Sequence, residues 1–346
     1  MLSSAEGKEL ISGLEETARS LATDFGDLDD DDAGQCPESD EWSIREGQDW
    51  SVKQLFAHVA EIESGLVDEA LEIAARPAAT IGRPPGALWG EAQRAANDRT
   101  LRDILEQCQS VHRATLERVK ALSDDDLPKK GTHLGSGPAT VLSSLTVVVG
   151  HRRMHIFQAR SNLLSLRARR DGRVPTEAYS VRGDSGPWLL LIDGNTSRWD
   201  AVASELGSSG YRVVQYRFVA QSADIERLRA ELGIGDLWIA GAAGGAVDAC
   251  KYAVVHGDRL AGLVMANMGI LPFYRDRPDD LSAVRMPALT LIGENYVQRD
   301  RVRERAAGFS NGSVLVMAGV GRDIPGEQPA AVIGAIRDFV RAHTRA

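Results

Sequence analysis

A chain of 346 residues with 43% hydrophobic and 26% charged residues is too long for one comfortable core and calls for two folded domains of ordinary size. Its formal net charge of −9 argues against a nucleic-acid or anionic-membrane partner, because phosphate binding needs clustered cations to release counterions. The expected partner is a small-molecule substrate, with no nucleic acid and no membrane, and a homodimer is left open.

The opening MLSSAEGKELISGLEETARS lacks the basic start and apolar run of a secretory signal, and no apolar stretch approaches ~18 residues, so a cytoplasmic protein is expected. Cys36, Cys108 and Cys250 are scattered without CxxC or zinc-ribbon spacing and read as ordinary reduced thiols. Leu10, Ile11, Leu14, Leu21 and Ala22 recur at helical spacing and predict a first helix over 5–25. The acidic run after it, Asp27 and Asp29 to Asp32, lacks the spaced ligands, central glycine and closing glutamate of an EF-hand and reads as a solvated loop. Ser51 is placed to cap a second helix, in which Val52, Leu55, Phe56, Val59, Ile62 and Leu66 form an apolar stripe. The Pro/Gly-rich connection RPAATIGRPPGALWG leads to a third helix around 91–122, and Gly135 to Pro138 lead into a fourth, PATVLSSLTVVVGHRRMHIFQARSNLL. Residues 1–165 are therefore expected to be an all-α four-helix bundle.

Residues 166–178, inside the basic stretch SLRARRDGRVPTEAY, mark a linker. Beyond it WLLLID, YRVVQYRF, DLWIAG, LAGLVMAN, PALTLIG and SVLVMAG alternate with helical segments, the pattern of a mostly parallel sheet covered on both faces. Residues 179–346 are expected to be an α/β domain.

His151 and His155 stand four apart, so a helix projects both imidazoles from one face. HxxxH alone is weak; His58, on the apolar face of the second helix, adds a third imidazole where an uncompensated one would be costly. A satisfied core histidine is the competing reading of His58, and Glu61 is either its carboxylate partner or a surface residue. His112, near Cys108, reads as a surface or core residue and His133 as a loop residue. Arg152 and Arg153 either steer an anionic substrate or face water.

The segment EWSIREGQDWSVKQLFAHVAEIE, followed by GPATVLSSLTVVVGHRRMHIFQAR, resembles the DinB-like superfamily of bacterial four-helix bundles, which includes mycothiol-dependent isomerases and the metal-binding half of ergothioneine synthases. The family's pattern, a histidine after W-S-V on the second helix and HxxxH on the fourth, falls on His58, His151 and His155. The resemblance implies that these imidazoles hold a divalent metal ion, one of zinc, nickel, manganese or iron, with positions left open for water or substrate. It also implies thiol transfer or thiol-assisted isomerisation, with a low-molecular-weight thiol as cosubstrate.

In the second half, LWIAGAAGGAVDACKYAVVHGDRLAGLVMAN resembles the strand, nucleophile elbow, helix and next strand of α/β-hydrolases. Gly241, Gly244 and Gly245 fit the G-x-S-x-G turn, but Ala243 stands at the nucleophile's place, and a methyl cannot attack a carbonyl. By the same resemblance Tyr296 stands where the acid belongs, Arg322 where the histidine belongs, and Asp193-Gly194 at the turn that helps form the oxyanion hole. Glu294 and Asp323 lie nearby without rebuilding the mechanism. A compact α/β-hydrolase-like domain is implied, with a degenerate triad, a short or absent lid, and Asp193, Ala243, Tyr296 and Arg322 lining one cleft at the strand ends.

Three functions stay open at this point. The first is a metal-dependent transferase or isomerase with a pseudo-hydrolase domain aiding substrate binding. The others are a non-catalytic binding or scaffold protein, and a repurposed α/β-hydrolase-fold lyase or cyclase acting without a nucleophilic serine.

Overall fold

The computed structural model describes residues 2–37, 50–82, 93, 95–134, 137–193, 198–268 and 278–344. By contact these fall into two units, one up to Ala159 and one from Arg160 onward.

In the first unit, α1 (Ala5–Phe25) starts at Ser4, whose hydroxyl accepts from the Gly7 amide. The acidic run expected as a loop instead folds into a short helix, α2 (Asp30–Gly34). Asp29 caps it by accepting from the amides of Asp31 and Asp32, and its first turn gathers carboxylates where the free amides of a helix favour negative charge. The next helix, α3 (Val52–Ala75), opens on a full capping box between Ser51 and Gln54. The third long helix, α4 (Leu101–Lys120), begins later than its sequence pattern suggests, at a cap where Thr100 accepts from the Asp103 amide. Residues 91, 92 and 94 of the expected helix lie outside the described residues. The last, α5 (Val141–Asp171), carries HxxxH. Leu10, Leu14, Val67, Ile73, Val119, Leu145 and Val148 from these four long helices share one core.

The connections are more ordered than expected. β1 (Thr80–Ile81), β2 (Lys130–His133) and β3 (Gly137–Thr140) form a small sheet, with β1 parallel and β3 antiparallel to β2. Gly131 makes this possible: a Cβ there would meet the Ala79 carbonyl and Ile73 Cγ1 at 2.8 Å. The helix α5 also runs on through residues 166–171, where a linker was expected, with Leu164, Leu166 and Ala168 buried along it. It ends before Gly172, whose φ of 68° is the left-handed conformation that terminates helices.

The second unit is built on β4 (Tyr179–Arg182), β5 (Trp188–Ile192), β6 (Arg212–Tyr216), β7 (Leu237–Ala242), β8 (Leu260–Ala266), β9 (Ala288–Gly293) and β10 (Gly312–Met317). The order across the sheet is β10-β9-β8-β7-β5-β6-β4, parallel except for β4, which pairs antiparallel with β6. Alternate residues feed opposite cores. Leu189 and Leu191 pack with Trp199, Val213 and Ile336, while Leu190 and Ile192 pack with Val214, Ile225 and Tyr252. The helices are α6 (Asp200–Gly207), α7 (Ser222–Leu232), α8 (Gly244–Val255), α9 (Arg299–Ala306), α10 (Ile324–Glu327) and α11 (Pro329–His343). The chain leaves β5 to one side for β6 and returns to its other side for β7, so the ends of β5 and β7 flank a topological switch point, where ligands of such sheets bind. Residues 269–277, in the connection between β8 and β9 where a short or absent lid was expected, lie outside the described residues. Among the described residues no helix is long and apolar enough to cross a membrane.

Candidate metal centre

The capping box at Ser51 fixes where α3 begins and hence the face that holds His58, two turns on. In α5, His151 and His155 stand one above the other. The two helices bring the three rings together. His151 Nε2 lies 3.2 Å from His58 Nε2 and 3.1 Å from His155 Nε2, and one ligand atom from each ring falls within 4.8 Å of the others. His58 and His155 are buried and His151 half-buried. Trp50, the first residue of the W-S-V motif, sets its ring edge-on to His58 with centroids 5.1 Å apart.

Mutual hydrogen bonding does not account for this geometry. A ring nitrogen carries either one hydrogen or one lone pair, so His151 Nε2, facing two other Nε2 atoms, can satisfy at most one of them. Three convergent lone pairs fit a cation of the kind that accepts imidazole ligands. The electrostatics agree, since a ligand imidazole must be neutral. Burial, then the neighbouring His58 ring and the Arg152 guanidinium, push His151 down to about 3. Burial and the other two histidines hold His155 well below the usual histidine range.

Behind the centre lies a second polar cluster that the sequence did not disclose. Arg152 is buried, its Nε 2.6 Å from Glu63 Oε2 and its Nη2 on Glu63 Oε1. Thr115 donates to the same carboxylate at 2.5 Å, and Arg152 Nη1 reaches Thr17 Oγ1 at 3.3 Å and the Leu14 carbonyl at 3.4 Å. Arg152 therefore neither steers a substrate nor faces water, while Arg153 is exposed and pairs with Glu16. Glu61 is a surface residue, and Glu63 is the buried carboxylate of this helix. Near this cluster, Cys108 donates to the Phe56 carbonyl, and burial pushes its thiol up to about 12. His112 is a core residue, held down to about 4 by burial and by Arg152. His133 sits in β2 with Nε2 3.8 Å from Glu69 Oε2, outside the convergent set.

In the second unit Ala243 stands at the sharp turn from β7 into α8. Ala243 has φ 48° and ψ −110°, a strained backbone for any residue with a Cβ, and its amide donates to the Ala266 carbonyl at 2.9 Å. Gly241 and Gly245 permit the sharp turn, since Cβ atoms there would lie 2.1 Å from the Gly245 carbonyl and 2.4 Å from the Ile192 carbonyl. Asp193, at the end of β5, accepts from the Trp199 amide at 3.0 Å and from Gln215 Nε2 at 3.1 and 3.2 Å. Burial raises its carboxyl to about 6. Gly194 lies outside the described residues. Tyr296 follows β9 and donates to Gln298 Oε1 at 3.3 Å, and Arg322 is close enough to oppose the upward push of burial on its phenol. Strands β5, β7, β9 and β10 run parallel, so all four positions follow the C-terminal ends of their strands. Sequence reading missed Asn267, which accepts from the Gly293 amide and donates to the carbonyls of Gly321 and Arg322, tying the loops after β9 and β10 together. Glu294 and Asp323 hold backbone instead: Glu294 accepts from the Gly319 amide, and Asp323 caps α10.

No curated protein matches this chain. Among solved structures, similar ones include a thermophilic esterase from Thermogutta terrifontis, at 19% identity and a TM-score of 0.41, over 48% of this chain and 94% of that one. A bromoperoxidase from Bacillus anthracis is 14% identical with a TM-score of 0.42, over 47% and 94%. An enol-lactonase from Burkholderia xenovorans is 13% identical with a TM-score of 0.41, over 47% and 95%. In the first unit, residues 14–159, a span that includes all three convergent histidines, match the profile of the DinB superfamily, and it is this superfamily that the N-terminal part of the chain resembles.

Proposed function

We propose that this chain is a metal-dependent enzyme whose chemistry takes place at His58, His151 and His155. The observation that carries this reading is the convergence of three Nε2 atoms, a geometry that ligation accounts for and hydrogen bonding does not. Bound there, a zinc, nickel, manganese or iron ion would supply a Lewis acid with open positions, able to lower the pKa of a coordinated thiol. The chain's own residues prepare the site. Burial keeps His151 and His155 neutral, with lone pairs available, and Trp50 packs its ring against that of His58. Transfer or isomerisation dependent on a low-molecular-weight thiol is the reaction class this supports, with a small-molecule substrate. Cobalt(II) loading tests it: a visible spectrum that gains a thiolate charge-transfer band on adding a low-molecular-weight thiol is expected, and a spectrum indifferent to thiol contradicts the thiol-dependent reading.

For the second unit we propose a role in substrate binding without serine chemistry. Its support is the elbow retained at Ala243, which keeps a strained backbone after the nucleophile it would serve is gone. A lyase or cyclase acting through Asp193 fits less well, because both of its oxygens already accept hydrogen bonds from Trp199 or Gln215.

A further inference from the structure

The two edges of the seven-stranded sheet are built differently. At one, β4 is four residues long and carries Arg182, whose guanidinium bonds Ser180 Oγ and Gln215 Oε1. At the other, β10 runs GSVLVM over six residues without a charge or proline and keeps unbroken register with β9 from Gly312↔Ala288 to Met317↔Gly293. Among the described residues no strand pairs with its outer side. Val314, Leu315 and Val316 are 43%, 42% and 36% exposed. Successive side chains of a strand point to opposite faces, so this exposure runs along the whole rim and not along one face only. Charges, prolines and bulges are the usual devices that keep a free edge from pairing, and β10 has none of them.

We propose that β10 is a self-association surface: two copies of this chain pair their β10 strands antiparallel about a two-fold axis through Leu315. Self-complementarity identifies the occupant. Reversing the strand about Leu315 sets Val314 opposite Val316 on one face, and Leu315 opposite its own copy, flanked by Ser313 and Met317, on the other. Such a contact closes on itself and uses up both apolar edges. Pairing β10 with the β4 edge of another copy would set Arg182 among valines and leave an open chain of molecules. One strand pair is smaller than a standard interface of ~1,600 Å², so self-association in the micromolar range is expected.

Analytical ultracentrifugation of the full chain should show a monomer–dimer equilibrium across that range. Leu315→Arg should weaken it about a hundredfold or more, because the pairing would desolvate two like charges, while leaving the thermal midpoint of the dilute monomer close to that of the wild type, since Leu315 is exposed in the monomer. In a Cys36→Ser background, which leaves only the buried Cys108 and Cys250, Leu315→Cys should be captured as a dimer by a short bis-maleimide. Val255→Cys, at a valine also 43% exposed, should not. A wild-type chain that stays monomeric throughout, a Leu315→Arg chain that associates as the wild type does, or equal capture at positions 315 and 255 would overturn the proposal. A monomer that instead takes up an extended peptide along β10 would assign the edge to another partner.

Discussion

Arg152 and Glu63 form a buried bidentate ion pair between α5 and α3, the same two helices that supply the three histidines. Arg152 is the residue after His151, and Glu63 lies five positions beyond His58. A fork between guanidinium and carboxylate fixes distance and direction together, so the pair sets the register of one helix against the other beside the centre.

Removing one partner should leave an uncompensated buried charge. Glu63→Leu is expected to lower unfolding stability by about 3–5 kcal/mol, whereas Glu63→Leu with Arg152→Met should recover much of the loss, as apolar replacements of buried pairs do. Urea denaturation of the two variants beside the wild type checks this. A double variant less stable than the single one would show that the pair contributes more than its own charge balance.

The pair also marks the limit of what the sequence discloses. The histidines are legible because each lies on a helix whose period fixes its face, and because Ser51 and Gln54 announce where α3 starts. The strands of the second unit are legible as uninterrupted apolar runs such as LWIAGA, since a parallel sheet buries both faces. Arg152 reads as a residue that steers an anion or faces water, and Glu63 carries no local signal, because nothing local tells an arginine that its carboxylate stands 89 residues away. The run of Asp30 to Asp32 looks like a loop until Asp29 is seen capping it. In SLRARR the arginines hide a helix that continues with Leu166 and Ala168 buried between them. Asn267 is invisible for the same reason as Glu63, since its partners come from two later loops.

The elbow predicts a negative result. Ala243→Ser should acquire neither esterase turnover nor labelling by a fluorophosphonate, because a guanidinium such as that of Arg322 offers no lone pair to take the serine's proton, and Tyr296 cannot orient a base. Activated-ester assays and probe labelling of both chains test this. Stoichiometric labelling of the wild type, or turnover in the variant near that of ordinary esterases, would place a working triad in the second unit.

Asp193 should leave a signature in the pH dependence of stability. Its carboxyl is raised by burial from the ordinary 3.8 to about 6, so between those values the folded chain holds a proton that the unfolded chain has released. Stability then falls as pH rises through that window, and the contribution is fully present only below it. Thermal midpoints measured across the window should decline less steeply for Asp193→Asn than for the wild type. Parallel profiles would show that Asp193 titrates normally in the fold.

Whether His58, His151 and His155 hold a divalent ion is decided by elemental analysis. The protein should be prepared without a polyhistidine tag or a nickel column, beside a His151→Ala/His155→Ala variant checked for unchanged helix content. About one divalent transition-metal ion per wild-type chain is expected, with a large loss in the variant, since one imidazole cannot replace a three-ligand set. Equal metal content in the two chains, or none in the wild type after exposure to zinc, nickel, manganese and iron(II), would contradict metal binding by these residues.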